Sequence, residues 1–218
     1  MELNPKKDYG FTCIGARDTK DLPVWDQFRL NKIREIFQTC SNILDFANDS
    51  RGLTQLLSED LKGKTKRSID INDYDRPDIL ADICNLNMID DQSIDGIVCS
   101  GVLQCVYNPF KAVEELHRIL KPGGKLFVYL SWIYRYSGAT DGTFHDYYRF
   151  SKDGARYLFR NFNNIEISPI RGRKAAILNL TKTFRKRGAF QKIFRNIINK
   201  FDDYSELNPS GFNVFLIK

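Results

Sequence analysis

With 218 residues, 42% of them apolar and 28% charged, the chain can fill one core of ordinary domain size, which excludes wholesale disorder. Its 14 Gly and 7 Pro carry no collagen-like period, and no apolar run approaches the roughly 18 residues of a spanning helix, so an integral membrane protein is not expected. The formal charge of +6 is uneven: residues 171–200 hold ten basic residues and no acidic one, so removing those ten leaves −4 on the rest of the chain.

The start, MELNPKKDYG, is polar and lacks the apolar stretch of a secretory signal. The five cysteines, Cys13, Cys40, Cys84, Cys99 and Cys105, show no paired metal-ligand spacing, which argues for reduced thiols in a cytoplasmic protein without zinc. Residues 1–22 read as an irregular arm. Trp25, Phe28, Ile33, Ile36 and Phe37 then recur at helical spacing, predicting a helix over 24–39. Residues 42–47 predict a buried strand, closed by the turn-forming run Asn48-Asp49-Ser50-Arg51-Gly52. Leu53, Leu56, Leu57 and Leu61 return to helical spacing. Strands follow at 68–71, weakly at 78–82, and at 96–100.

Asn108-Pro109 opens the clearest helix, with Asn108 as cap and Pro109 at the first helical position. Phe110, Val113, Leu116, Ile119 and Leu120 form its apolar stripe, and Lys121-Pro122-Gly123-Gly124 stops it. A strand over 125–130, a helix from Ser151 to about Phe162, and strands over 165–170 and 212–217 complete the chain. Strand-helix alternation predicts an α/β fold with a parallel sheet and helices on both faces, whose ligands bind at the carboxyl ends of the strands.

Three acids fall at predicted strand ends: Asp45, Asp70 and Asp82. One strand-helix-strand step separates Asp70 from Asp45, the place where a carboxylate accepts from a ribose diol. Each acid taken singly also suits a turn or cap.

These residues carry a resemblance. ILDFANDSRG (43–52), SIDI (68–71), DILADICNLNMIDDQSIDGIVCSGVLQCVYNP (78–109) and AVEELHRILKPGGKLFVYL (112–130) resemble class I S-adenosylmethionine-dependent methyltransferases, most closely methyltransferase type 11, over about residues 40–165. HDYYRF (145–150) resembles a motif of a subgroup associated with glycan and cell-surface biosynthesis. The resemblance implies a Rossmann-like, seven-stranded, mostly parallel sheet in one domain spanning 1–218. Within it, 1–40 form an arm and helix, 41–170 the cofactor-binding core, 171–205 a basic helical insertion and 206–218 the last strand. It implies S-adenosylmethionine as cofactor. Asp45 would hold the methionine ammonium, directly or through water, and Ala47 and the loop after it would meet the carboxylate. Asp70 would take the ribose hydroxyls, Ile71 the adenine face, and Asp82 and Ile83 the adenine edge. Ser100 and Gly101 would line the cofactor beneath its sulfur.

Two positions depart from the family pattern. Asp45-Phe46-Ala47-Asn48-Asp49 stands where relatives have a glycine-rich DxGxG turn, and Gln104 stands where they commonly have Glu. Ala47 costs little there if its φ is negative. Asp49 either crowds the cofactor with a second negative charge or pairs with its ammonium.

After the strand at 96–100 there is no [DN]-P-P-[YFW] run and no Pro-Cys pair, which weighs against methylation of base amines and of cytosine C5, and leaves Cys105 as a core thiol. Residues 132–150 are rich in aromatics, a composition suited to packing on sugar rings. They offer His145 as general base, Asp146 as its orienter or replacement, and Tyr134, Tyr147, Tyr148 and Arg149 for acceptor binding. His117 reads as a packing or surface residue. The leading expectation is O-methylation of a sugar-like hydroxyl on a small molecule or glycan; a non-catalytic methyltransferase-like protein and an RNA methyltransferase stand as alternatives. Phe190, Ile193, Phe194, Ile197, Ile198 and Phe201 fall on one helical face of the basic segment. Such a face either packs on the body or lies at an anionic membrane surface, which predicts peripheral contact at the inner membrane face through 171–200.

Overall fold

The computed structural model describes residues 24–47, 51–181, 197–198, 201–203 and 205–218. The N-terminal arm, Asp49, and most of the apolar and basic face expected around 182–200 lie outside the described residues.

Helix α1 (Val24–Thr39) leads into β1 (Asn42–Phe46), then α2 (Arg51–Leu56), β2 (Thr65–Asp70), β3 (Ile79–Leu80) and β4 (Ile94–Ser100). Helix α3 (Pro109–Ile119), β5 (Leu120–Ser131), α4 (Lys152–Leu158), β6 (Asn164–Ile170), α5 (Arg173–Asn179) and β7 (Gly211–Ile217) follow. The seven strands form one sheet in the order β3-β2-β1-β4-β5-β7-β6. The pairings β2–β3, β1–β2, β1–β4 and β4–β5 are parallel, while β7 runs antiparallel to both β5 and β6. This is the expected α/β sheet, with its one reversed strand at the C-terminus.

Two apolar layers hold it. On one face Leu30, Ile33, Ile36 and Phe37 of α1 pack with Ile43, Val98, Phe127 and Phe215 of the strands. Ile33, Ile36 and Phe37 are fully buried, each stabilising the fold by about 1.5–3 kcal/mol. On the other face Ala112, Val113, Leu116 and Ile119 of α3 and Ala155 and Leu158 of α4 cover Leu44, Ile97, Leu126 and Val128. The expected cap is present: Asn108 Oδ1 accepts from the Lys111 amide at 3.1 Å. Ser151 Oγ likewise accepts from the Gly154 amide at 3.1 Å. His117 stacks edge-on against Phe162 at 5.1 Å, a packing role.

Of the boundaries that differ from expectation, three have a clear physical cause. Strand β2 starts at Thr65, because Asn42 to Phe46 of β1 offer a parallel ladder to Thr65 through Ile69 whatever the polarity of Thr65, Lys66 and Arg67. Helix α4 ends at Leu158; Phe159 and Phe162 are buried, but through a turn rich in Asn. After α3, Leu120 already pairs with Ile94 and the next pair is Gly96 with Lys125, so Lys121–Gly124 bulge out of the ladder. A Cβ on Gly124 would stand 2.7 Å from Leu120 Cγ and 2.8 Å from the Lys121 carbonyl, which requires glycine there.

Parallel pairing sends Phe46, Asp70 and Ser100 out along one edge of the sheet. At that edge β1 lies between β2 and β4, where the strand order reverses.

Candidate active site

The end of β1 is charged but closed. The Asp45 side chain has no exposure, and Lys66 Nζ stands 2.7 Å from its Oδ2. Asp45 is thus held by a cation of the chain itself. Ala47 follows with φ +60, and its amide donates to the Ile69 carbonyl at 2.9 Å. The expectation of a cheap alanine required negative φ and is corrected: a residue with a Cβ held in the left-handed region costs about 1–2 kcal/mol.

At the end of β2, Asp70 Oδ1 accepts from the Asn72 amide at 2.9 Å, and Oδ2 has no partner among the described residues. Ile71 is 58% exposed beside it. Asp82 lies in the turn beyond β3 instead of in a strand. Its Oδ1 accepts from the Cys84 amide at 2.8 Å and its Oδ2 from the Tyr107 hydroxyl at 3.2 Å. Contact with Cys84, and the charge of Asp82, push the Tyr107 phenol up to about 12, so it remains a donor at neutral pH. Ile83 contributes its side chain to the core.

At the end of β4, Ser100 and Gln104 are each only 4% exposed, yet Ser100 Oγ and Gln104 Oε1 have no hydrogen-bond partner among the described residues. Gly101 between them has φ +74, a conformation glycine adopts without strain. Gln104 Nε2 donates to the Gly101 carbonyl at 2.6 Å.

The aromatic loop between β5 and α4 folds over this strand end. The amides of Tyr147 and Tyr148 both donate to the Gln104 carbonyl, at 2.8 and 3.0 Å. The Tyr148 hydroxyl donates to the Tyr107 carbonyl at 3.1 Å. Tyr136, Phe144, Tyr147 and Tyr148 are exposed, whereas Tyr134 is half-buried with the Arg135 guanidinium over its ring at 5.8 Å.

Asp146 does not orient His145. Its buried carboxylate accepts from the Ser137 amide at 2.7 Å, from Ser137 Oγ at 3.0 Å and from Arg149. Burial works against that charge, but the Arg149 and Ser137 hydrogen bonds outweigh it and hold the carboxyl below the usual carboxylate range. Arg149 also donates to the carbonyls of Arg135 and Tyr148, both at 2.8 Å, so it braces the loop. His145 is exposed and lies against the Tyr147 ring at 5.8 Å between centroids. Cys105 is half-buried and lies outside the core clusters, so it is not the core thiol expected; desolvation still pushes its thiol up to about 11, which leaves it protonated at neutral pH.

Sequence reasoning missed Lys66, Tyr107 and Ser137. For Lys66 the signal was present: period two places Lys66, Ser68 and Asp70 on one face of β2. Nothing local marks Tyr107 or Ser137.

S-adenosylmethionine fits these residues. Asp70 keeps one carboxylate oxygen for a diol, Ile71 offers an exposed apolar face beside it, and Ser100 and Gln104 hold two buried oxygens with no hydrogen-bond partner among the described residues.

Comparison with known proteins agrees. Residues 49–128 match the methyltransferase type 11 family, described as a methyltransferase domain. Over 43 residues the chain is 46% identical to thiol S-methyltransferase TMT1B of Rattus norvegicus, a stretch covering 20% of this chain and 18% of that protein. The chain therefore matches under a fifth of the length of that curated relative. An S-adenosylmethionine-dependent methyltransferase from Archaeoglobus fulgidus superposes with a TM-score of 0.57 at 14% identity, over 88% of this chain and 93% of that one. Phosphoethanolamine N-methyltransferase 2 of Haemonchus contortus, in complex with S-adenosyl-L-methionine, superposes with a TM-score of 0.53 at 18% identity, over 88% of this chain and 52% of that one.

Proposed function

From the methyltransferase-domain match of residues 49–128 and the shared fold, we propose that this chain is a class I S-adenosylmethionine-dependent methyltransferase that transfers the methyl group to a hydroxyl of a small, sugar-like acceptor seated under the loop of residues 132–150. The observation that carries this reading is the pinning of that loop to the Gln104 carbonyl by the amides of Tyr147 and Tyr148. It holds exposed aromatic rings three residues from Gly101, where an acceptor would lie next to the reacting methyl group.

When bound, S-adenosylmethionine supplies an electrophilic methyl group on a good leaving group. The chain's own task is to hold the acceptor hydroxyl in line with it and to remove its proton. Tyr147 and Tyr148 offer ring faces for a sugar, and His145, beside Tyr147, is the base in this reading. Asp146 and Arg149 act on the loop alone, since they are engaged with each other and with Ser137. Methyl-labelled S-adenosylmethionine offered with a panel of monosaccharides, nucleotide sugars, amines and thiols tests the proposal. Label on a sugar oxygen is the expected result, and label confined to amines sinks it.

The likeness to a thiol S-methyltransferase favours a second reading, a thiol acceptor. A thiol ionises far more readily than a sugar hydroxyl and needs no base, so the two readings differ in their dependence on His145.

The ten basic residues of 171–200 support an acceptor carried on an anionic lipid, each contributing about 1 kcal/mol near such a surface. Among the described residues no helix is long and apolar enough to cross a membrane. Sedimentation with anionic but not neutral liposomes at low salt is expected, and loss of that pelleting on changing Arg185, Lys186 and Arg187 to Glu. Equal absence from both pellets removes the membrane from the proposal.

A further inference from the structure

The centre of the carboxyl edge is β1, flanked by β2 and β4, and Asp45 is its last residue but one. In the parallel ladder Asp45 lies opposite Ser68 and Ile43 opposite Lys66. Lys66 therefore starts one pleat behind Asp45, on the same face, and its four-carbon stem carries the ammonium forward to the carboxylate at 2.7 Å. The Asp45 side chain has no exposure, while that of Lys66 keeps 13%. Of the two charges, the one retaining access to solvent belongs to the lysine. Asp78, the other acid that feels Lys66, has its Oδ2 taken by the amide and hydroxyl of Ser68, at 2.7 and 2.8 Å.

S-adenosylmethionine ends in a zwitterion, an ammonium and a carboxylate on one carbon. A second ammonium brought to this pair meets the repulsion of Lys66 and reaches Asp45 only by displacing it. A carboxylate meets attraction. We infer that Lys66 is a specificity-determining residue for the cofactor, turning the strand-end acid into a neutralised pair so that the site recognises the cofactor's carboxylate and is indifferent to its ammonium.

This rests on the cofactor and not on the identity of the acceptor. Calorimetric titration of the full chain with three ligands tests it: S-adenosylhomocysteine, 5′-(3-carboxypropylthio)-5′-deoxyadenosine, which lacks the ammonium, and 5′-(3-aminopropylthio)-5′-deoxyadenosine, which lacks the carboxylate. The expected result is binding of the ammonium-free ligand within about threefold of S-adenosylhomocysteine and of the carboxylate-free ligand at least about tenfold more weakly, the scale of one charge-assisted contact. Lys66→Arg keeps this ranking. The double variant Asp45→Asn with Lys66→Met removes both charges together, so that no lone buried carboxylate remains to unfold the protein, and it brings the two analogues within about threefold of each other. A larger loss for the ammonium-free than for the carboxylate-free ligand in the unaltered protein overturns the inference without needing any variant. So does an unchanged ranking in a folded double variant. Silence of all three ligands is a different outcome, which overturns the cofactor assignment and the inference with it.

Discussion

Gln104 and Gly101 are joined by a 2.6 Å hydrogen bond from the Gln104 side chain to the Gly101 carbonyl, while the Gln104 carbonyl receives the amides of Tyr147 and Tyr148. One residue thus couples the end of β4 to the aromatic loop. A glutamate in its place would carry a carboxylate, which cannot make the donation to Gly101. Gln104→Glu is expected to destabilise the fold by about 1–3 kcal/mol, the cost of a buried carbonyl left without its donor. A urea midpoint equal to that of the unaltered protein would mean that the bond contributes nothing.

What was legible in the sequence is what local chemistry determines. Asn108 and Pro109 announce the start of α3 by themselves, because capping involves only the first turn. The Gln104 link was hidden, because its loop partners are backbone amides, which carry no residue identity. The true length of β2 was hidden for a related reason: Thr65, Lys66 and Arg67 look like a polar loop, and only pairing with β1 makes them strand. The sign of φ at Ala47 follows from where the chain must go after β1, which a five-residue window does not reveal. The Asp45–Lys66 pair needed both the register and the face of two strands.

Asp70 is the most direct test of the cofactor's placement. Asp70→Ala is expected to weaken S-adenosylhomocysteine binding by about 1.5–3 kcal/mol, the worth of hydrogen bonds to a charged group. The fold should survive, since Asp70 is half-exposed and its one described side-chain bond is to the amide two residues on. Unchanged affinity in the folded variant removes Asp70 from the site.

Ala47→Gly should raise stability. At φ +60 the methyl group is strained, and glycine relieves about 1–2 kcal/mol while losing part of that to the greater freedom of its unfolded chain. A net gain of about 0.5–1 kcal/mol in urea denaturation is expected. A loss of stability would show that the strain is absent.

Acid should act on Glu115. Its carboxylate accepts from Arg118 Nη2 at 2.9 Å, from the Leu86 amide at 3.0 Å and from Lys111 at 3.3 Å. The Arg118 hydrogen bonds first, and then the Leu86 amide, draw it down to about 2, from 4.5 in a free side chain. A carboxyl lowered in the folded state contributes fully above its unfolded value, and the contribution fades as pH falls through its folded value. Glu115→Gln should therefore cost about 1–3 kcal/mol at pH 7, and the gap to the unaltered protein should narrow between about pH 5 and pH 2. Urea titrations across that range measure it; a gap that widens toward acid contradicts the assignment.

His145 decides between the hydroxyl and thiol readings. A hydroxyl acceptor holds its proton tightly at neutral pH, so removing a positioned base should lower turnover about 10²–10⁴-fold while S-adenosylhomocysteine affinity stays the same. A thiol acceptor is already partly ionised, and the same His145→Ala change should then cost less than about fivefold. Asp146→Asn separates the chemistry from the scaffold. Because its carboxylate is bound to Ser137 and Arg149 and makes no described contact with His145, its loss should loosen the loop and raise the acceptor KM more than it lowers kcat. A kcat defect in Asp146→Asn as deep as that of His145→Ala, with KM unchanged, would instead make Asp146 part of the proton path and His145 a residue of the loop's surface.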